Sequence, residues 1–140
     1  MNPTVSDLFG AAIIGLGATL IMDFWALFSR RYLGLAPPNY CLVGRWFCYM
    51  PAGKWRHPNI AKSAAMPGEC TVGWLAHYAI GALYGMALVV LTSGEWRHDP
   101  NLLMALGFGI ATLAFPFLVM QPSFGFGRFS SRFANPVQVW

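Results

Sequence analysis

The chain has 140 residues, of which 56% are hydrophobic and 10% charged, with a mean hydropathy of +0.50. Soluble domains carry about 25% charged residues, so this composition excludes an ordinary soluble domain and indicates an integral membrane protein. The net charge is +4, but only Arg30 and Arg31 are adjacent among the basic residues. A nucleic-acid surface needs clustered cations, so we expect no nucleic-acid partner.

The first predicted membrane span covers residues from about 8 to 28, the length that about 20 apolar residues need to cross a bilayer. Small residues recur every fourth position at Ala11, Gly15 and Thr19, and the next step of that series is Asp23. Small residues at this spacing let two helices approach closely in lipid, and an ionisable residue in a span seldom faces lipid. We therefore predict that Asp23 lies on the helix-packing face.

Residues 29–70 form a long loop that holds six of the nine Lys and Arg residues and a single acid, Glu69. An excess of cations in a loop predicts that it lies on the cytoplasmic side. Within it, residues 40–49 are predicted to form a short interfacial helix. Apolar side chains recur there at helical spacing: Leu42, Val43, Trp46, Phe47 and Met50.

The second predicted span covers about residues 71–91 and contains one ionisable residue, His77. Gly73, Gly81 and Gly85 share one face, and His77 fills the missing step of that series. Small residues at this spacing predict a helix-packing face. His77 is therefore expected to point into the helix bundle.

The third predicted span covers about residues 101–120, is kinked by Pro116, and precedes a tail at 121–140. The short loop before it is acidic on balance, which places that loop outside. The pattern predicts an all-α polytopic membrane protein with one membrane domain, three transmembrane helices, an outer N-terminus and a long inner loop. We expect it to be embedded in a membrane, in contact with the lipid bilayer.

The three cysteines, Cys41, Cys48 and Cys70, are an odd number without a Cys-x-x-Cys pair. This pattern predicts neither a zinc site nor a disulfide framework. We expect all three to be unpaired packing residues in a reducing compartment.

Asp23, His77 and Gln121 fall at a similar depth, because each lies near the inner end of its span. Depth and facing together predict that Asp23 and His77 are direct partners. Three interpretations are open: a structural pair that fixes how the spans pack, a proton relay or ligand site facing the cytoplasm, and a metal or haem site.

A metal site would need further ligands from His57, Glu69 and Cys70, whose spacing matches no standard motif. We therefore expect no metal, no cofactor and no catalytic residue. Arg45 is expected to anchor the loop at lipid headgroups. Together with His57, Glu69 and Gln121, it is also a candidate ligand or loop site.

Several sequence blocks carry a resemblance that covers nearly the whole chain. They are Gly15-x-Gly-Ala-Thr-x-x-Met-Asp23, Asn39-Tyr-x-Leu-Val-Gly-Arg-Trp46, Arg56-His57, Pro67-Gly-Glu69, Gly73-Trp-x-x-His-Tyr-Ala-Ile-Gly81, Phe117-Leu-x-Met-Gln-Pro122 and Asn135-Pro136. In these blocks the chain is similar to the bacterial inner-membrane family called domain of unknown function 2938.

The resemblance implies a small polytopic membrane protein without a settled activity. Asp23, Arg45, His57, Glu69 and His77 fall on its motif positions. Its members usually continue into a fourth span, whereas this chain ends at Trp140. We therefore expect one uncovered face of the bundle.

Two functions follow from these observations. The first is a non-catalytic accessory or assembly subunit that packs against larger membrane protein subunits, with a bioenergetic or photosynthetic complex as one candidate host. The alternative is a membrane enzyme or carrier with a cytoplasm-facing site at Asp23 and His77.

Overall fold

The computed structural model describes residues 3–132, except for the side chains of Arg97, His98 and Ser130. Every regular element in that part of the chain is helical. The end of the predicted tail, with Asn135 and Pro136, lies outside the described residues. The α-helices are α1 (Val5–Leu33), α2 (Tyr40–Tyr49), α3 (Glu69–Leu91), α4 (Glu95–His98), α5 (Leu102–Thr112) and α6 (Gln121–Phe124). Three 3₁₀ turns (Met50–Ala52, Ile60–Lys62 and Arg128–Ser130) and a π-helical segment (Pro116–Met120) complete the set.

Three helical segments are long and apolar enough to cross a membrane: Val5–Leu33, Glu69–Leu91 and Leu102–Phe124. This confirms the predicted all-α polytopic architecture with three candidate spans. The first helix is longer than predicted at both ends. At its start the Thr4 hydroxyl accepts a hydrogen bond from the Asp7 backbone N–H at 3.2 Å, while the Asp7 carboxylate accepts one from the Thr4 N–H at 2.9 Å. This reciprocal cap stabilises the first turn.

The third segment departs from α-helical geometry around Pro116. Helix α5 ends at Thr112, four residues before this proline, because proline has no N–H to donate to the Thr112 carbonyl. The chain then forms a π-helical turn over Pro116–Met120 before α6 begins. The predicted kink therefore takes the form of a change in helix type.

The chain divides into two compact units. The first contains the part of α1 up to Asp23 together with Tyr78–Leu113. In this unit α1 and α3 touch backbone to backbone, because a Cβ on Gly15 would overlap the Gly81 carbonyl oxygen and a Cβ on Gly85 would overlap that of Ala11. Such close approach is what small residues permit in membrane helices.

A threonine hydroxyl is buried at the same α1–α3 contact. Thr19 is 7% exposed and lies against Gly81, and its hydroxyl donates a hydrogen bond to the Gly15 carbonyl oxygen at 2.8 Å. The bond satisfies the polar group within its own helix. Burial of Thr19 therefore leaves no unpaired hydroxyl in the contact.

The second unit contains Phe24–His77 and, among the described residues, 114–132. Its core is a cluster of four buried side chains: Trp46, Ile60, Phe124 and Phe126. The Trp46 indole N–H donates to the Trp55 carbonyl oxygen at 2.9 Å, which satisfies the one polar atom of that ring. This core fixes the long loop against the short helices of the same unit.

The loop approaches the end of α6 at a single glycine. Gly125 has a φ of +85°, and a Cβ there would overlap the Pro58 carbonyl oxygen. Beside it the His57 backbone N–H donates to the Ser123 carbonyl oxygen at 2.7 Å. Only glycine meets both the left-handed backbone and the close contact.

Candidate functional site

Helix α2 crosses the amino end of α3 at backbone contact. A Cβ on Gly44 would overlap the Glu69 carbonyl oxygen, and a Cβ on Gly73 would overlap the Tyr40 carbonyl oxygen. Helix α2 begins with the Asn39 side chain accepting a hydrogen bond from the Cys41 backbone N–H at 3.1 Å. We call this contact, with the side chains that flank it, the α2–α3 crossing.

An ion pair closes one side of the crossing. The Arg45 guanidinium donates to both Glu69 carboxylate oxygens, from Nε to Oε2 at 2.8 Å and from Nη2 to Oε1 at 2.6 Å. The Met66 backbone N–H also donates to Glu69 Oε2, at 2.8 Å. Bidentate, charge-assisted hydrogen bonds are among the strongest in proteins. The hydrogen bonds with Glu69 raise the pKa of Arg45 above its ordinary value.

The same arginine also holds the long loop. Its Nη1 donates to the carbonyl oxygens of Ile60 at 3.1 Å and Ser63 at 2.9 Å. All three guanidinium nitrogens are therefore engaged within the protein. The donors of Arg45 fasten the loop to the start of α3. Its predicted contact with lipid headgroups stays a prediction.

His57 is buried in the same loop and is linked to Arg45 through Ser63. Its ring Nδ1 lies 3.2 Å from the Ser63 hydroxyl, which itself donates to the Asn59 carbonyl oxygen at 3.3 Å. The Nε2 atom has no hydrogen-bond partner among the described residues. Gln121 is also buried, at the start of α6.

His77 lies in an aromatic cluster at the crossing. The Tyr40 ring stacks on its imidazole with centroids 4.0 Å apart, and Trp74 meets the imidazole edge-on at 6.0 Å. Tyr40 and Trp74 also contact each other edge-on, with centroids 4.7 Å apart, and contact with both rings restricts the orientation of the imidazole.

Asp23 has a partner that the sequence analysis did not name. In the first unit the Tyr78 hydroxyl donates to Asp23 Oδ2 at 2.8 Å. Tyr78 could have been anticipated, since a tyrosine within an apolar span must direct its hydroxyl to a polar group. The direct pairing of Asp23 with His77 stays a prediction.

One expectation from the sequence is wrong. Cys41 and Cys70 form a disulfide across the α2–α3 crossing, and of the three cysteines only Cys48 is free. The physical reason is the close approach of the two helices at Gly44 and Gly73. The only trace of this pairing in the sequence is the spacing Cys-x-x-Gly, which occurs at Cys41 and at Cys70 and does not by itself indicate that the two helices meet.

The crossing is therefore a closed and largely satisfied arrangement. Its chemistry consists of a paired arginine and glutamate, a stacked imidazole and a disulfide. Among residues 3–132, no three His, Cys, Asp or Glu side chains lie close enough to hold a metal ion. His57, Glu69 and Cys70 thus do not form a ligand set.

A family model described as Protein of unknown function (DUF2938) matches residues 12–140. No curated protein and no solved structure matches the chain. The match covers nearly the whole chain, including the α2–α3 crossing, the second and third candidate spans, and the first span from residue 12 onward. The chain therefore belongs to the DUF2938 family of proteins of unknown function.

Proposed function

We propose that this protein is a non-catalytic subunit of the bacterial inner membrane, an accessory or assembly protein that packs beside a larger membrane complex. The observation that carries the proposal is the open face of α5. None of its residues is buried, and a Cβ on Gly107 would meet no atom within 4 Å among the described residues.

The open face has the pattern of a helix-packing surface. Gly107 and Ala111 are exposed one turn apart, whereas Ala105, Phe108 and Thr112 are half-buried on another side of α5. Small residues four positions apart allow close contact between membrane helices. Glycine inside a helix costs about 1 kcal/mol relative to alanine, so Gly107 is best explained by the close approach of another helix.

The crossing supports a structural role in the same way. Arg45 and Glu69 use their charges on each other and on the loop backbone, and the His77 ring is held by Tyr40 and Trp74. Charged groups that act on a substrate need free donors or acceptors aimed at it. The described contacts instead hold the protein together.

The proposed orientation places the long loop in the cytoplasm. The loop holds six of the nine Lys and Arg residues. Lys54, Arg56 and Lys62 are exposed and are therefore free to meet the anionic inner leaflet. The bilayer and the larger subunits are the proposed partners.

The test is the size of the protein extracted in mild detergent. Gly107→Leu adds bulk to the open face, and since a Cβ meets nothing there, the monomer should remain folded. Leu102→Phe is the matched control, because Leu102 is 75% exposed on a different side of the same helix.

We expect the wild type and Leu102→Phe to elute in an assembly much larger than one 15.4 kDa chain in detergent. Gly107→Leu should elute as the single chain and stay folded, because leucine is more favourable than glycine at an open helix position. A wild type that is already a stable, monodisperse monomer would contradict the proposal.

A second candidate is a membrane enzyme or carrier. The observation that favours it is the arrangement of the loop, where Arg45 pairs with Glu69 and is linked through Ser63 to the buried His57. On this proposal His77→Ala abolishes transport or turnover while assembly is preserved. If His77→Ala only lowers the unfolding temperature, His77 has a structural role and the second candidate is contradicted.

A further inference from the structure

We propose that the Cys41–Cys70 disulfide is a reversible thiol–disulfide exchange site at which low-molecular-weight thiols release, and their disulfides restore, the covalent link between α2 and α3. The proposal goes beyond the accessory role. It rests on only one part of the proposed function, the cytoplasmic orientation of the loop.

The disulfide has one accessible side. Cys70 is exposed and Cys41 is half-buried. An incoming thiolate can therefore reach the sulfur of Cys70, and the sulfur of Cys41 becomes the leaving group. Cys41 and Cys70 are the second residues of α2 and α3, and the amino end of a helix stabilises a thiolate at either position. Attack at Cys70 thus has both access and a favourable leaving group.

Exchange takes place in two steps. A thiolate RS⁻ forms a bond to the Cys70 sulfur, the Cys41–Cys70 bond breaks, and the electron pair leaves on the Cys41 sulfur. A second RS⁻ attacks the mixed disulfide, forms RSSR and releases the Cys70 thiolate. Protons from the two RSH molecules end on the two cysteines. The protein disulfide is reduced, two RSH are oxidised, and the reverse sequence uses RSSR as the oxidant.

The charge pattern argues that the bond is not permanent. Thiols are kept reduced in the cytoplasm, and disulfides that do form there are mostly transient. A loop with six cations and one acid is placed on that side. Two cysteines that lie this close together in a reducing compartment therefore alternate between the disulfide and the two free thiols.

The rest of the crossing persists when the bond opens. Gly44 and Gly73 still allow backbone contact, and Arg45 still pairs with Glu69. Reduction therefore loosens the start of α2 without unfolding the unit. Release of this link would change how firmly the loop is held against α3.

The experiment counts free thiols on the full-length protein in cells. Growing cells are quenched with acid before and after brief exposure to diamide, and the denatured protein is alkylated with a maleimide polymer. We expect three labelled cysteines in growing cells, one after diamide, and three again after dithiothreitol. Cys48→Ser is the matched control and should give two, none and two.

The proposal is overturned if diamide does not lower the number of labelled cysteines, whether that number stays at three or stays at one. Three labelled cysteines after diamide would mean that Cys41 and Cys70 do not pair. One labelled cysteine throughout, resistant to dithiothreitol in the folded protein, would mean a permanent disulfide.

Sidedness is measured separately with Cys41→Ser/Cys48→Ser, which leaves the exposed Cys70 as the only thiol. An impermeant maleimide should label inside-out vesicles and leave spheroplasts unlabelled. Labelling of spheroplasts would place the pair in the periplasm and overturn both the exchange and the loop orientation. The accessory role would be untouched by that result, since it is decided by the size of the Gly107→Leu protein.

Discussion

Glu69→Gln should destabilise the second unit more than any other single conservative change at the α2–α3 crossing. The side chain keeps its size but loses its charge. Glu69 now accepts two hydrogen bonds from Arg45 and one from the Met66 backbone. A glutamine has a single acceptor oxygen, and its amide group would direct N–H donors at the guanidinium.

The magnitude follows from burial and from the number of bonds. The Arg45 and Glu69 side chains are 12% and 11% exposed, so water replaces the lost bonds only in part. Hydrogen bonds to charged groups contribute about 1.5–3 kcal/mol each, and breaking a fully buried pair costs about 3–5 kcal/mol. With partial access of water we expect a loss of about 2–3 kcal/mol, or a fall in Tm of roughly 6–12 °C.

The assay is thermal unfolding in detergent, followed by tryptophan fluorescence, since Trp46 reports on the core of this unit. Glu95→Gln is the matched control because Glu95 is exposed, and it should change stability by less than about 0.5 kcal/mol. If Glu69→Gln unfolds at the same temperature as Glu95→Gln, the ion pair does not stabilise the crossing and the reasoning is refuted.

Two further predictions concern the first unit. Gly15→Ala should destabilise the protein by about 1–3 kcal/mol, because the new Cβ overlaps the Gly81 carbonyl oxygen, whereas Gly17→Ala, where a Cβ meets nothing, should be neutral or stabilising. Equal thermal stabilities of these two variants would contradict the contact. Tyr78→Phe should lower the Tm by removing the hydrogen bond to Asp23, and adding Asp23→Asn should lower it by less than the sum of the single changes. Strict additivity would show that the two side chains do not interact.

The features that depend on local pattern were predictable from the sequence. Long apolar runs specify the three candidate spans, and the spacing of Leu42, Val43 and Trp46 specifies α2. Pro116 specifies where α-helical geometry ends. Each of these depends only on residues within one or two helical turns, for which periodicity and covalent geometry are sufficient.

The pairings between distant residues were not predictable in the same way. Cys41 and Cys70 are 29 positions apart, and Arg45 and Glu69 are 24 apart. Their meeting depends on where two helices cross, which glycines decide by admitting backbone contact. Rules based on the number and spacing of cysteines do not predict where two helices cross, and so they do not predict this disulfide. In the sequence Gly73 stands out only as part of a stripe along its own helix, and no local pattern relates it to Gly44.

Tyr78 was missed for a different reason. Its neighbour His77 carries the ionisable group of this span, but a phenol hydroxyl in an apolar helix also requires a polar partner. The hydroxyl donates to Asp23 at 2.8 Å. Polar residues in a span should therefore be considered by their hydrogen-bonding capacity as well as by their charge.

The central claim is that α5 packs against another membrane protein through the face of Gly107 and Ala111. Photo-cross-linking in intact cells tests it most directly, with a photoreactive amino acid placed at Ala111 and, as control, at Leu102. We expect a defined cross-linked product much larger than 15.4 kDa from Ala111 and none from Leu102. Only uncross-linked single chain from both positions would contradict the claim, because it would mean that this face meets lipid alone.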